Sequence, residues 1–277
     1  MLRLGRARSM ITISYDYLRD EELMLVKAFD EMGVKVNMMP STRLMDIKDY
    51  EGVYLIRNMS HRNAITISGV VEASGAVSIN SYDTLSKTWN KAISLAILRS
   101  RGVPIPRSRI VFSDSVSIDN LGNSGLSIIK PVSGSWGRLV ALAGQNDARL
   151  ILKHAQQHMP LLIQERFGDG KDIRVFVIDG QVAASMVRIP EAGEWRSNVA
   201  RGGLAKGVAI DSEVSEIAIK AAEALGAFYA GVDILVNNGD YAVSEVNGIP
   251  EFKALTRVTG VNIAFKLAEA VLKLAKS

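Results

Sequence analysis

The chain has no cysteine, which excludes disulfides, cysteine–zinc sites and a thiol nucleophile, and makes a reducing cytoplasm the expected compartment. No apolar run approaches the ~18 residues that a membrane-spanning helix needs, so no membrane partner is expected. The basic start, Met1–Met10, is not followed by the apolar stretch of a secretory signal. It reads as a short tail or an upstream start, because the first strand pattern begins only after Met10. Histidine is scarce. His61, His154 and His158 are scattered, and the i,i+4 pair His154/His158 lacks the intervening glutamate of a metalloprotease helix. There is no Gly-x-Ser-x-Gly elbow, no G-x-x-x-x-G-K-[ST] phosphate loop, no internal repeat and no low-complexity tract. Charge of one sign is also nearly absent in excess. The net +4 does not call for nucleic acid, but suits an acidic partner such as a nucleotide, a carboxylate or an acidic protein.

What is present is a chain of 277 residues, 48% hydrophobic and 22% charged, ordinary for a soluble globular protein and long enough for two or three small domains. Ile11–Tyr15, Val34–Met39, Gly52–Ile56 and Val77–Asn80 read as strands. Helical spacing over Glu21–Met32 and Ala64–Ser74 alternates with them, which predicts a small open parallel α/β domain over residues 1–84. Thr84–Arg101 reads as one helix. Strands at Arg109–Phe112, Leu126–Pro131, Leu139–Leu142 and Leu161–Glu165, with a helix over Asp147–His158 capped by Asp147, form a central α+β lobe, residues 85–167. The third unit, 168–277, holds two hairpins turning at Asp179-Gly180 and Asn237-Asn-Gly239, a helix over Glu213–Leu225 and a closing helix over Asn262–Lys273. The expected fold is therefore α/β followed by two α+β lobes.

Three groups of residues carry chemistry. Gly134-Ser135-Trp136-Gly137-Arg138 lies between two strands, with Lys130 just before it. A glycine-rich hairpin lets backbone N–H groups approach phosphate oxygens, and a lysine adds a point charge. In isolation such a turn is ordinarily a plain β-turn beside a surface lysine. Asp233, Glu245 and Asn247 form the second group. Glu245 and Asn247 share a strand face, and Asp233 sits within an apolar run on the preceding strand, where a carboxylate needs a partner or a metal. Three oxygen donors suit magnesium; the alternative is a solvated acidic strand pair. Arg174, Arg188, Arg196, Asn198 and Arg201 form the third, near hairpin edges, where guanidinium groups clamp anions bidentately. Any one of these arginines alone is an ordinary surface charge.

Taken in order, Lys91, Ile129-Lys130-Pro131, Gly134–Arg138, Gln164-Glu165, Asp172-Ile-Arg174, Arg196-Ser-Asn198, Asp233 and Glu245-Val-Asn247 resemble the ATP-grasp superfamily, and within it the RimK-like ligases. The segments Gly134–Leu139, Glu194–Ala200 and Glu245–Lys253 are most similar to the LysX/ArgX enzymes, which join glutamate or α-aminoadipate to the C-terminal glutamate of a small acidic carrier protein, LysW. RimK-type protein or coenzyme-tail glutamate ligases share the ATP-site residues. The resemblance implies two lobes clasping ATP, magnesium on Asp233, Glu245 and Asn247, and an acyl-phosphate route to an amide. It implies Lys91 and Lys130 on the phosphates under the 134–138 lid, adenine held at Gln164, Glu165, Arg166 and Phe167, and Asp172 near the ribose. Arg174, Arg188 and Asn198 would stabilise the transferred phosphate or the bound carboxylate, and Arg196 would face the amino acid. The segment Glu251, Phe252, Lys253, Ala254, Leu255 would floor the amino-acid pocket. Ala254-Leu255 departs from the Gly-Phe of the glutamate enzymes, so a looser pocket that prefers glutamate and admits α-aminoadipate is expected. A homo-oligomer is also implied.

Overall fold

The computed structural model describes residues 10–113, 125–134, 139–155, 160–191 and 204–277. Among these residues the chain builds three sheets. The first is parallel, in the order β2-β1-β3-β4, from β1 (Ile11–Tyr15), β2 (Asn37–Pro40), β3 (Val53–Ile56) and β4 (Val77–Ile79). Helices α1 (Asp20–Glu31) and α2 (His61–Ala73) connect its strands, as the alternation of periods predicts. Ser60 caps α2 by accepting from the Asn63 amide.

The single helix read over Thr84–Arg101 is two: α3 (Tyr82–Trp89) and α4 (Lys91–Ser100). Asn90 causes the break. Its backbone is extended, it bridges to Ser133, and its Oδ1 accepts from the Ala92 and Ile93 amides, so it caps the second helix instead of continuing the first.

The central sheet is antiparallel, in the order β5-β8-β6-β7: β5 (Ser108–Val111), β6 (Leu126–Pro131), β7 (Ala141–Gly144) and β8 (Leu161–Glu165). Helix α5 (Gln145–His154) covers one face through Ala148 and Leu152. Its N-cap is Gly144, not the expected Asp147, which instead sits in the first turn where a carboxylate still complements the helix dipole.

The third sheet is antiparallel, in the order β11-β10-β9-β12-β13. Its strands are β9 (Asp172–Ile178), β10 (Gln181–Ile189), β11 (Leu204–Gly207), β12 (Tyr229–Asn237) and β13 (Asp240–Asn247). Both hairpins turn where the sequence says. Asp179 and Gly180 have φ of 48° and 71°, and Asn238 and Gly239 have 51° and 94°, the left-handed pair of a type I′ turn. The edge strand β11 and the short helix α7 (Lys253–Thr259) carry no clear periodic signal and were not anticipated.

This sheet is covered on both faces. Val175, Val177, Val232 and Ile234 pack on α4 and on α6 (Ser212–Ala224). The opposite face, with Phe176 and Tyr229, joins Phe252, Leu255 and the closing helix α8 (Ile263–Lys276) to Ile13 of the first sheet and Leu25 and Phe29 of α1 in one core. Phe176 meets Phe252 edge-on at 6.0 Å between ring centroids. Each such aromatic contributes roughly 1.5–3 kcal/mol by burial alone. The N-terminal α/β unit thus shares its core with the C-terminal lobe. Helix α4, placed by the sequence reading in the central lobe, packs under the third sheet.

Candidate active site

The site is laid out by strand register. Alternation along β9 puts Asp172 and Arg174 on one face. Arg188 pairs with Asp172, Arg174 with Asp233, and Asp233 with Glu245. Directly opposed residues share a face, so Arg174, Asp233 and Glu245 form a row across three strands, with Asp172 and Arg188 one step along. A β-bulge sets this row. Asp233 faces Glu245 while Ile234 faces Val243, leaving Ser244 as the extra residue. Val243 and Val246, three apart, can then both enter the core beneath, and Glu245 and Asn247 keep the polar face.

The charges along this face alternate. Arg188 donates to both oxygens of Asp172, from Nε at 2.6 Å and Nη2 at 2.7 Å, and its Nη2 lies 2.9 Å from Asp233 Oδ2. Arg174 holds the same carboxylate, Nη2 at 2.8 Å from Oδ2 and Nε donating to Oδ1. Burial pushes the Asp233 carboxyl up, but the Arg174 and Arg188 guanidiniums outweigh it and lower its pKa to about 2. Burial opposes the Arg188 charge, and Asp233 and Asp172 more than restore it, raising its pKa. Asp172, expected near the ribose, accepts from Arg188 through both carboxylate oxygens and anchors that arginine.

Two lysines from outside this sheet meet it. Lys91 opens α4; its amide donates to Val132 O at 2.7 Å and its Nζ to Gly134 O at 2.6 Å, and Nζ stands 3.6 Å from Glu245 Oε1. Lys130, buried on β6, donates to Gln164 Oε1 at 3.1 Å. Burial lowers its pKa to about 8; Glu245 and Asp233 resist that shift and Lys91 adds to it. The structure thus gathers Lys91, Lys130, Glu245 and Asp233 into one electrostatic neighbourhood. His61, set aside in the sequence reading, belongs to it too. It stacks on Trp89 at 6.0 Å between centroids, and burial lowers its pKa, with Lys91 adding and Glu245 opposing. No periodicity or motif around His61 signals this; it opens α2 and meets Trp89 at the end of α3.

At the end of β8, the Gln164 side chain is committed to Lys130 and Ser108, and Glu165 to Arg107. A ligand along Gln164–Phe167 would therefore meet mainly backbone. Gly168, which follows, has φ of 70°, and a Cβ there would come 2.2 Å from Val236 O, so only glycine fits this crossing between sheets.

Asp233, Glu245 and Asn247 offer only hard oxygen donors, which suits magnesium. Asp233 receives three guanidinium N–H contacts, which leaves one of a carboxylate's roughly four lone-pair sites. Glu245 is about a third exposed (36%), and its contact with Lys91 is longer than a hydrogen bond. Asn247 Oδ1 accepts from the Ile249 amide at 2.9 Å and keeps a lone pair. Among the described residues no cluster of three or more His, Cys, Asp or Glu could hold a metal unaided. A two-carboxylate, one-amide set of this kind fits an ion that draws its other ligands from water and phosphate.

The segment after Asn247 divides by exposure. Phe252 and Leu255 are in the shared core, Leu255 at 1% exposure. The expectation that the Leu255 side chain floors a pocket thus meets a packed interior. Glu251 pairs with Arg19 at 3.2 Å, Lys253 with Asp20, and Ala254 is half-buried. Ser135, Trp136, Gly137, Arg138, Arg196, Asn198 and Arg201 lie outside the described residues. A cavity of about 210 Å³ lined by Ile129, Pro131, Leu139, Ile151 and Leu161 opens on the α5 side of β6, the face opposite Lys130, and is apolar. It is not part of this site.

Residues 88–271 match the RimK-like ATP-grasp domain. An α-aminoadipate–LysW ligase LysX of Saccharolobus solfataricus is 32% identical over 273 residues, covering 93% of this chain and 99% of that one. A glutamate–LysW ligase ArgX of Sulfurisphaera tokodaii is 31% identical over 277 residues, covering 94% and 97%. The ATP-grasp ligase PsnB, solved with a phosphomimetic variant of its minimal precursor, Mg and ADP, superposes with a TM-score of 0.78 at 20% identity over 98% of this chain and 99% of that one, which shows the shared fold. The chain belongs to the RimK-like ATP-grasp family.

Proposed function

We propose that this ATP-grasp ligase attaches glutamate, and more slowly α-aminoadipate, to the C-terminal glutamate of a LysW-type carrier protein. The direct opposition of Asp233 and Glu245, with Lys91 and Lys130 beside them, carries the ATP-dependent part of the reading. Near-complete mutual coverage with the LysX and ArgX relatives supports the carrier and the amino acids.

In this reading the carrier carboxylate attacks the γ-phosphate of ATP, the bond to the β-phosphate breaks and ADP leaves, giving the acyl phosphate; the amino acid's amine then attacks the acyl carbon, expels phosphate and loses a proton, giving the amide. Phosphoryl transfer needs charge neutralisation more than covalent help. Magnesium, held by Asp233, Glu245 and Asn247, would supply part of that charge. Lys91 and Lys130 place two ammonium groups against the phosphates, and Lys91 keeps its approach because Gly134 O and the α4 cap fix it. Arg174 and Arg188, ionised and pre-oriented by Asp233 and Asp172, present planar donors to the transferred phosphate or the carboxylate without reorganising during the reaction. Backbone along Gln164–Phe167 holds adenine.

The test measures ADP formation with magnesium and each amino acid, in three arms: a LysW-type carrier, a ribosomal-protein C-terminal tail and a glutamate-terminated coenzyme tail. Carrier-dependent turnover is the expected result. Turnover with either of the other acceptors alone would replace this reading with a RimK-type α-glutamate ligase.

A further inference from the structure

Asn80 directly follows β4, the last strand of the N-terminal sheet, yet its side chain makes four hydrogen bonds to residues 228, 229 and 248, at the margin of the third sheet. Its amide is 1% exposed. Nδ2 donates to Tyr229 O at 2.8 Å and to Gly248 O at 2.6 Å. Oδ1 accepts from the Phe228 amide at 2.8 Å and the Tyr229 amide at 3.3 Å. Tyr229 starts β12 and Gly248 directly follows β13, so one side chain ties together the two open ends of the hairpin that carries Asp233 and Glu245.

The grip continues along the same segment. Arg57, fully buried at the end of β3, donates from Nη1 to Pro250 O at 3.0 Å and lies over the Phe252 ring at 5.2 Å. Its Nε faces the equally buried Glu22 at 3.4 Å. The third sheet meets this segment closely from its own side: a Cβ on Gly231 would fall 2.8 Å from Pro250 Cβ and 3.1 Å from Arg174 Nη1. The chain at 248–250 is thus held between donors of the N-terminal sheet and the row that carries Arg174 and Asp233.

We propose that Asn80 and Arg57 are positioning residues for the ligase reaction, fixing the 248–250 backbone so that Asn247 presents its amide oxygen in line with Glu245. This rests on the reading of Asp233, Glu245 and Asn247 as the metal face. Hydrogen bonds that orient metal ligands are commonly worth tenfold or more in metal affinity. With the Asn80 donors gone, Gly248 is free to shift, and Asn247 moves with it.

The experiment measures binding of Mn²⁺, as a spectroscopic probe, to the full chain with a non-hydrolysable ATP analogue by electron paramagnetic resonance. Thermal stability and analogue affinity are measured alongside. Asn80→Ala is expected to weaken Mn²⁺ binding by roughly tenfold, while nucleotide affinity without metal stays within about twofold; a merely structural residue would lower stability and leave the metal affinity of the folded fraction unchanged. Arg57→Lys is expected to shift it in the same direction. Where Asn80→Ala does not fold, Asn80→Asp, which keeps the two accepted bonds and loses the two donated ones, answers the same question. Asn247→Ala is the reference. Weakened binding in Asn247→Ala with unchanged binding in the Asn80 and Arg57 variants overturns the positioning role. Unchanged binding in Asn247→Ala itself overturns the metal face.

Discussion

Replacing Asp233 with asparagine removes one charge from the middle of a buried row and little else of size. Arg174, Asp233 and Arg188 are only 8–13% exposed at their side chains. Removing one partner of a buried ion pair costs about 3–5 kcal/mol, mostly because the remaining charge is left without a counterion. Here Asp172 still holds Arg188, so Arg174 bears the loss, and the lower end, about 3 kcal/mol, is expected at pH 7. The pH dependence has a definite sign. The folded-state pKa of Asp233 is lowered from 3.8 to about 2. Its stabilisation is therefore fully present above pH ~4 and lost as pH falls through ~2, amounting to about 2 kcal/mol at ~1.4 kcal/mol per unit. Urea unfolding of wild type and variant at pH 7, 4 and 2.5 measures this. The two proteins should differ by about 3 kcal/mol at pH 7 and converge toward pH 2. A cost below ~1 kcal/mol at pH 7, or a gap that stays constant with pH, would refute the buried-pair argument.

Glu245→Ala should lower ligase turnover by ~100-fold or more while unfolding at nearly the wild-type urea concentration, because a third-exposed side chain adds little to the core; normal turnover at saturating magnesium would remove Glu245 from the site. Lys130 is charged below about pH 8 and neutral above it, so the KM for ATP should be flat up to that pH and rise beyond it. Lys130→Arg, ionised throughout, should flatten the rise, and an unchanged profile in that variant would assign the inflection elsewhere. Leu255→Phe should overpack the shared core at a cost of about 1–3 kcal/mol and leave the glutamate to α-aminoadipate ratio of kcat/KM unchanged; a sharpened glutamate preference would return Leu255 to the pocket.

The local parts of this fold were legible because they obey local rules. Asp179-Gly180 and Asn238-Gly239 can turn a hairpin wherever they occur, and period-two spacing alone puts Glu245 and Asn247 on one face. Asn90 hid its role because a helix can be interrupted by a residue that is also tolerated inside one; only its cap bonds and its bridge to Ser133 decide the matter. The bulge at Ser244 leaves no mark in the hydrophobic pattern until Val243 and Val246 are seen to share a core. The arginines were readable as anion ligands, but not as partners of Asp233 and Asp172, since that depends on register across three strands. Asn80 and Arg57 were the least accessible. Their contacts with the 228–252 region span more than a hundred residues of sequence, and no short pattern encodes such a contact.

The most direct test of the account is the intact mass of a LysW-type carrier after incubation with the protein, ATP, magnesium and either glutamate or α-aminoadipate. The carrier should gain one glutamyl residue, with slower gain of one α-aminoadipyl residue, and only when ATP is present. An unchanged carrier mass with both amino acids, from protein that forms ADP on another acceptor, would contradict it.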